Sequence, residues 1–130
     1  EEPKSKNCLI VDFPLGLKSA FYGLIEPDIP MICGGVNPEN TLQFKCIMLV
    51  NGQFVRSGPS HAFKLTTKRE MWSDSVATIN GSLVAVGGKG GKDNIALKSV
   101  ETISPYHTGR LKDLPHPLHG HCVVTIDENR

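Results

Sequence analysis

A strand-like apolar segment that runs into two adjacent glycines occurs twice in this sequence. The first copy is residues 30–35 (PMICGG) and the second is residues 83–88 (LVAVGG), so the two glycine pairs stand 53 residues apart. A second similarity relates residues 12–17 (DFPLGL) to residues 113–118 (DLPHPL), which lie 101 residues further on. Because the second spacing is close to twice the first, the sequence predicts a structural repeat with a period of about 50 residues.

Helical periodicity is nearly absent, since 13 Gly and 9 Pro are spread along the chain and interrupt its apolar patterns. Short apolar or alternating segments bounded by turn residues indicate β-strands instead. The dipeptides Asn51-Gly52 and Asn80-Gly81 indicate two-residue hairpins, because both central residues of a type I′ turn need a positive φ. The predicted fold class is therefore all-β. The predicted strands are residues 20–26, 29–33, 44–50, 54–55, 76–79, 83–86, 100–103 and 122–126.

Length and charge limit the classes of function. The chain has 130 residues, enough for one domain or a piece of one. Its 14 basic and 13 acidic residues leave a net charge of +1, so a nucleic acid or an anionic membrane is not an expected partner. No apolar run approaches the roughly 20 residues of a membrane helix, so no membrane insertion is expected. The sequence begins at Glu1, and any signal peptide would lie outside it.

The order of motifs within each repeat resembles the kelch repeat. A strand runs into Gly-Gly, a later strand follows a polar stretch, and a basic residue precedes the next strand. Residues 30–80 show this order once, and residues 82–122 show it again. Neither unit has the Trp that the family usually carries on the third strand. Phe54 takes that place in the first unit and Arg110 takes it in the second.

The resemblance implies a β-propeller made of kelch-type blades, each a four-stranded antiparallel meander. Residues 1–26 would be the outer strands that end a preceding blade. Residues 27–80 would be one blade, and residues 81–127 a second blade with the strand that leads into the next. Propellers have typically about 4–8 blades, so we expect a fragment of a closed propeller, with further blades in the same longer chain. The glycines that would let the backbone turn sharply near the propeller axis are Gly34, Gly35, Gly87 and Gly88.

The four cysteines bear on the cellular compartment. Cys33 and Cys46 stand opposite each other in an antiparallel hairpin centred between them, and local twist can bring such facing Cβ atoms to disulfide distance. This arrangement also looks like that of secreted, cysteine-bearing kelch-like proteins of animals. Cys8 and Cys122 would then pair with cysteines outside this sequence. The alternative is four free, buried thiols in a cytosolic protein.

Asn80 opens the tripeptide Asn-Gly-Ser on a predicted hairpin turn, which makes it a candidate N-glycosylation site. An Asn-Gly pair is also an ordinary turn. Together with the cysteines, the tripeptide favours a secreted or extracellular protein, with the cytoplasm as the alternative.

Patterns that would indicate catalysis or a metal are incomplete. In residues 87–93 the phosphate-loop motif would need a glycine at Val86 and a hydroxyl at Asp93. Residues 58–62 lack the second glycine of a hydrolase nucleophile motif. The three histidines and one cysteine in residues 116–122 lack a second cluster at zinc-ligand spacing. We therefore expect no catalytic residue, no cofactor and no metal.

We expect a non-catalytic protein-protein interaction module, because kelch-like propellers are mostly protein-binding scaffolds. Residues 36–42, 57–67 and 89–97 are the longest polar loops and the predicted contact surface, with plain solvated connections as the alternative for each. One further interpretation is the substrate-recognition propeller of an intracellular ubiquitin-ligase adaptor. Another is a carbohydrate oxidase or hydrolase on a complete propeller. The candidate binding residues are Asn37, Glu39, Asn40, His61, Lys89, Lys92 and Asp93.

Overall fold

The computed structural model of the protein describes residues 16–25, 28–55, 64–71, 75–104 and 108–126. These residues form β-strands and no α-helix, which confirms the predicted all-β class, and no helix among them is able to cross a membrane. The strands, in chain order, are β1 (Phe21–Ile25), β2 (Ile29–Cys33), β3 (Cys46–Val50), β4 (Gln53–Val55), β5 (Arg69–Glu70), β6 (Val76–Ile79), β7 (Ser82–Val86), β8 (Lys89–Gly90), β9 (Ile95–Ala96), β10 (Val100–Ile103) and β11 (Thr108–Arg110).

Two four-stranded antiparallel sheets make up most of the structure. The first sheet contains β1, β2, β3 and β4 in chain order, and the second has the order β11-β10-β7-β6. A smaller sheet joins β5, β8 and β9. Its strands β8 and β9 form a hairpin inserted between β7 and β10, while β5 comes from the connection between the two large sheets. The pairing of Arg69 with Gly90 thus fixes this connection to the β8–β9 hairpin.

Both predicted two-residue hairpins are confirmed. Asn51 and Gly52 have φ values of 50° and 75°, and they join β3 to β4. Asn80 and Gly81 have φ values of 48° and 74°, and they join β6 to β7. The local turn chemistry therefore sets the register of both strand pairs.

The large sheets begin one strand earlier than the predicted units. Residues 21–25 form the first strand of the first sheet rather than the end of a preceding unit, since β1 pairs with β2 along its whole length. Residues 76–79 likewise open the second sheet rather than close the unit 27–80. Strands joined by short turns pair with each other first, and this pairing sets the sheet boundaries.

The predicted strand at residues 122–126 is wrong. Among the described residues no strand pairs with this segment, so its backbone has no ladder of hydrogen bonds to hold it extended. Val124 and Ile126 are 79% and 74% exposed. The preceding residues are anchored, because the His121 ring nitrogen Nε2 lies 2.7 Å from the Val86 carbonyl oxygen. The sequence pattern alone does not supply the partner that a strand needs.

The hydrophobic core lies between the two large sheets, where β1 contacts β6 and β7. Phe21, Gly23 and Ile25 alternate onto one face of β1, and both large side chains are buried. A Cβ atom added at Gly23 would lie 2.4 Å from Cδ1 of Leu83, so this glycine lets the sheets approach closely. The buried core residues are Phe21, Ile25, Met31, Cys33, Cys46, Met48, Leu65, Met71, Leu83, Ala85 and Ile103.

Each large sheet has its glycine pair at the same place, directly after the second strand. Gly34 and Gly87 have φ values of 67° and 65°, and the next glycines have 86° and 95°. The Gly34 amide donates to Lys45 O at 3.1 Å, and the Gly87 amide donates to Ser99 O at 3.0 Å. The two pairs thus have the same backbone conformation, which a residue with a Cβ atom rarely adopts.

The predicted disulfide between Cys33 and Cys46 is confirmed. The two residues are direct partners in the register of β2 and β3, and both are fully buried. Cys122 is a free thiol at the surface. Cys8 lies outside the described residues.

Candidate functional site

The three predicted binding loops contribute to one open cleft of about 630 Å³, lined mostly by residues with polar side chains. Each loop connects strands of a different part of the fold: the first joins β2 to β3, the second precedes β5, and the third joins β8 to β9. The cleft volume lies in the range of ligand pockets, roughly 300–1,000 Å³. The lining residues are Asn40, Thr41, Leu42, Thr66, Thr67, Lys68, Gly91, Lys92 and Asn94.

The first loop is shaped by its own hydrogen bonds. Oδ1 of Asn37 accepts from the Thr41 amide at 2.8 Å, and the Asn37 amide donates to Thr41 O at 3.1 Å. Asn40 adopts a positive φ of 61°, which Asn tolerates better than most residues. Asn37 therefore supports the loop from outside the cleft, while Asn40, Thr41 and Leu42 line it.

The third loop is held against the second by close backbone contact. The Gly91 amide donates to Lys68 O at 2.9 Å. A Cβ atom added at Gly90 would lie only 2.1 Å from the same oxygen, so only glycine fits there. This contact brings Lys92, on the turn after β8, and Lys68, before β5, to the same cleft.

The second loop is fixed from below by Glu101, which is fully buried on β10. Oε1 of this carboxylate accepts from the Thr66 amide at 2.5 Å and also from the Thr66 hydroxyl. Both polar groups of Thr66 therefore bond to a carboxylate in the protein interior. As a result, the segment 66–68 has a defined position at the cleft wall.

Glu101 is in turn paired with Arg69, whose side chain is also fully buried. The guanidinium donates to Glu101 Oε2 at 2.5 Å, to Ser99 Oγ at 2.8 Å and to Gly87 O at 2.7 Å. Burial lowers the pKa of Arg69, and the neighbouring Glu101 opposes that shift. The Arg69 carbonyl also accepts from the Gly35 amide at 2.9 Å, so this one residue bonds to both glycine pairs.

The charge in the cleft is positive. Lys68 and Lys92 are the charged residues among those that line it. Nζ of Lys68 lies 5.3 Å from the centre of the Phe44 ring, and Nζ of Lys64 lies 5.8 Å from the same centre. Two ammonium groups on one aromatic ring are within cation–π distance, which gathers positive charge at this edge of the cleft.

Of the predicted binding residues, Asn40 and Lys92 line the cleft and Asn37 supports it. Glu39 and Asp93 are exposed beside it. Lys89 pairs with Glu70 in the small sheet and lines a separate cavity of about 60 Å³. His61 lies outside the described residues. Asn80 is exposed on its hairpin turn, where an acceptor of a glycan must be.

Lys68, Arg69 and Glu101 were not among the predicted site residues. In the repeat, Lys68 and Arg69 are basic residues that precede a strand, and Glu101 lies in the predicted strand 100–103. Arg69 and Glu101 are 32 residues apart, so no local spacing connects them. Glu101 is a charged residue within an apolar strand, a signal that indicates pairing but not the partner, whereas Arg69 has no apolar strand around it.

No family model matches this chain, and no curated protein matches it. By contrast, 46 chains of solved structures match it. One is the structure of YjhT, with a TM-score of 0.53 and 17% sequence identity. The match covers 78% of this chain and 32% of that chain, so this chain spans about a third of the length of YjhT. At this identity, the similarity shows that the two proteins share a fold over the matched region.

Proposed function

We propose that the two large sheets are neighbouring blades of a kelch-type β-propeller. Their shared meander topology supports this, as do the glycine pairs that follow the second strand of each. The sheets also pack face to face, as blades do. YjhT matches this chain over 32% of its own length, which is in keeping with a fold that contains further sheets.

The outer face of the first sheet supports a further blade in the same longer protein. Tyr22 and Leu24, on the face of β1 opposite the core, are 62% and 50% exposed. Cross-strand pairing places more apolar residues on this face. The opposite face of the first sheet is covered by the second four-stranded sheet, and a further blade would cover the outer face in the same way. The apolar residues on this face are Tyr22, Leu24, Pro30, Ile32, Leu49 and Phe54, together with Ile47, which is buried.

We further propose that the protein is a non-catalytic protein-protein interaction module, and that the cleft is its contact surface. The observation that carries this proposal is the meeting of three loops from separate parts of the fold in one cleft. The described lining residues offer hydroxyl, amide and ammonium groups for hydrogen bonds. They include no His, Cys, Asp or Glu that would act as a base or nucleophile.

The disulfide supports an extracellular location for this module. Disulfides persist in oxidising compartments, whereas cytosolic thiols are kept reduced. The buried Cys33–Cys46 bond therefore favours a secreted binder over the intracellular ubiquitin-ligase adaptor.

Site-directed photo-crosslinking tests the proposal. A photoreactive amino acid replaces Thr41, which lines the cleft, and in a matched variant it replaces Lys112, which is exposed outside it. Both proteins are irradiated in medium and at the surface of the cells that express them, and cross-linked proteins are identified by mass spectrometry. We expect the same partner proteins to recur from position 41 and to be absent from position 112. Identical products from both positions would show that the cleft is not the contact surface.

A further inference from the structure

The cleft has a chemistry that selects its ligand. Its two charged groups, Lys68 and Lys92, are both cationic. An ammonium group only donates hydrogen bonds, while the threonine hydroxyls and asparagine side chains can donate as well as accept. The ligand that complements such a lining carries negatively charged acceptors. Carboxylates meet this requirement and form charge-assisted hydrogen bonds with lysine.

We propose that the cleft binds an acidic peptide, namely an extended segment of the partner protein that presents Asp or Glu carboxylates to Lys68 and Lys92. This inference rests on the proposed function, because it names the chemistry of the partner at the same site.

The Lys68 ammonium group and the backbone beside Lys92 are held in place before any ligand arrives. The Phe44 ring attracts the ammonium group of Lys68, and the Lys68 carbonyl accepts from Gly91, next to Lys92. The hydrogen bonds of Thr66 to Glu101 fix the segment that leads into Lys68. A site whose charged groups are already gathered loses less entropy on binding.

The buried charges below the cleft do not neutralise it. Glu101 is the acidic side chain that contacts the second loop, and its negative charge is paired with Arg69 at 2.5 Å. Glu101 therefore adds no unpaired negative charge beneath the two lysines.

The surroundings favour a peptide over a polyanion such as a sulfated polysaccharide. Glu39 and Asp93 are exposed next to Asn40 and Lys92, and they repel a ligand with dense negative charge more strongly than a peptide whose carboxylates are spaced apart. The net charge of the whole chain is only +1. The volume of about 630 Å³ exceeds what a single phosphate fills and suits several peptide residues. Leu42 adds an apolar contact for aliphatic parts of the segment.

Fluorescence anisotropy with a labelled heptapeptide of alternating Glu and Ser tests this proposal on the full chain. The same peptide with Gln in place of Glu is the ligand control. We expect the Glu peptide to bind at low ionic strength, and the Gln peptide to bind about tenfold more weakly or less. Binding should weaken at about 0.5 M salt, where exposed charges are screened.

The protein variants are Lys68→Ala with Lys92→Ala, and Lys112→Ala as the matched control. All three side chains are exposed, so the variants should keep the stability of the parent. We expect the double variant to lose about tenfold or more in affinity and the control to lose none. Equal affinity of the double variant, or no binding of the Glu peptide at millimolar concentration, would overturn the proposal. Tighter binding of heparin fragments than of the Glu peptide would overturn it as well.

The peptide experiment tests the acidic-peptide proposal, and the cross-linking experiment tests the interaction module, so either proposal can be contradicted without the other. A partner captured from position 41, without binding of the Glu peptide, would leave the interaction module intact and the acidic-peptide chemistry wrong. Binding of the Glu peptide that depends on Lys68 and Lys92, without a captured partner, would support the cleft chemistry and contradict the interaction module.

Discussion

The two large sheets have the same backbone arrangement, but different chemistry holds their central strands together. Cys33 faces Cys46 in the first sheet, and the disulfide joins β2 to β3. At the same step before the glycine pair of the second sheet, Val86 faces Val100. There the buried ion pair of Arg69 lies beside the strands. In both sheets the two central strands are linked next to the glycine pair, by a disulfide in the first and by the hydrogen bonds of Arg69 in the second.

The largest expected loss of unfolding free energy comes from removing the Arg69–Glu101 ion pair beside the second sheet. The substitution Glu101→Ala leaves the Arg69 guanidinium buried without its counter-charge, while burial already lowers the pKa of Arg69. Removal of one partner of a buried ion pair costs about 3–5 kcal/mol of unfolding free energy. Thr66 loses its hydrogen bonds to the carboxylate in the same variant. Chemical denaturation measures the loss.

Arg110→Ala is the matched control for this experiment. Arg110 pairs with Asp113 at 3.1 Å, but their side chains are 56% and 46% exposed. An exposed pair contributes about 0–1 kcal/mol, so this variant should stay close to the parent. Equal losses for Glu101→Ala and Arg110→Ala would mean that the buried pair does not hold the second sheet.

The next largest loss of unfolding free energy comes from replacing the disulfide of the first sheet with a pair of valines, which face each other at the same step of the second sheet. The double variant Cys33→Val with Cys46→Val keeps apolar side chains at the facing positions and removes the covalent bond. The bond spans a sequence separation of 13, and closing a loop of about this length contributes roughly 3 kcal/mol. We expect a loss of about 2–3 kcal/mol in unfolding free energy, since the valines recover part of the packing.

Cys122→Ser serves as the control, because Cys122 is free and exposed. It should change the unfolding free energy by less than about 0.5 kcal/mol. If the double valine variant has the same unfolding free energy as the parent, the covalent bond adds no stability beyond the packing of two apolar side chains.

The third experiment examines what the two sheets share. Gly34→Ala and Gly87→Ala should destabilise the protein by similar amounts, each about 2 kcal/mol or more, because a left-handed conformation with a Cβ atom costs roughly 1–2 kcal/mol. Close contacts add to this cost, since the new Cβ atoms would lie 2.5 Å from Arg69 O and 2.7 Å from Leu118 O. Thermal unfolding of both variants measures the two losses.

Gly52→Ala separates the two parts of that cost. Gly52 has a φ of 75°, and no heavy atom lies within 4 Å of an added Cβ. This variant should show the conformational cost alone, about 1 kcal/mol. If Gly34→Ala is no worse than Gly52→Ala, the close backbone approach at the glycine pair carries no energetic weight.

Local sequence signals predicted the parts of the fold that depend on neighbouring residues. The Asn-Gly turns fixed two hairpins, and the spacing of Cys33 and Cys46 around a hairpin predicted their bond. The small sheet formed by β5, β8 and β9 was not predicted, because its strands are two residues long and have no apolar alternation of their own. The strand predicted at residues 122–126 was wrong for the converse reason, since its alternation is present and its partner is not.

The candidate site also has a part that the sequence predicted and a part that it did not. Polar composition predicted the three loops that line the cleft. Their convergence depends on contacts between distant residues, namely the Gly91 amide with Lys68 O, and Thr66 with Glu101. Such long-range contacts leave no spacing in the sequence. The positive character of the cleft was therefore not predictable from a chain whose net charge is only +1.

The smallest expected effect on stability comes from changes at the Asn-Gly hairpin turns. The two sheets differ there in whether the turn can carry a glycan. Asn51-Gly52 and Asn80-Gly81 form the same turn, but only Asn80 is followed by a serine at the position that N-glycosylation requires. Expression through a secretory pathway should add a glycan to Asn80 and none to Asn51, as measured by the mass lost on treatment with peptide N-glycosidase. Ser82→Ala removes the tripeptide and keeps the Asn-Gly turn, so its mass should not change on treatment. A glycan-free protein from the secretory pathway would contradict the assignment of Asn80 and weaken the extracellular interpretation, because that exposed turn offers no steric barrier to modification.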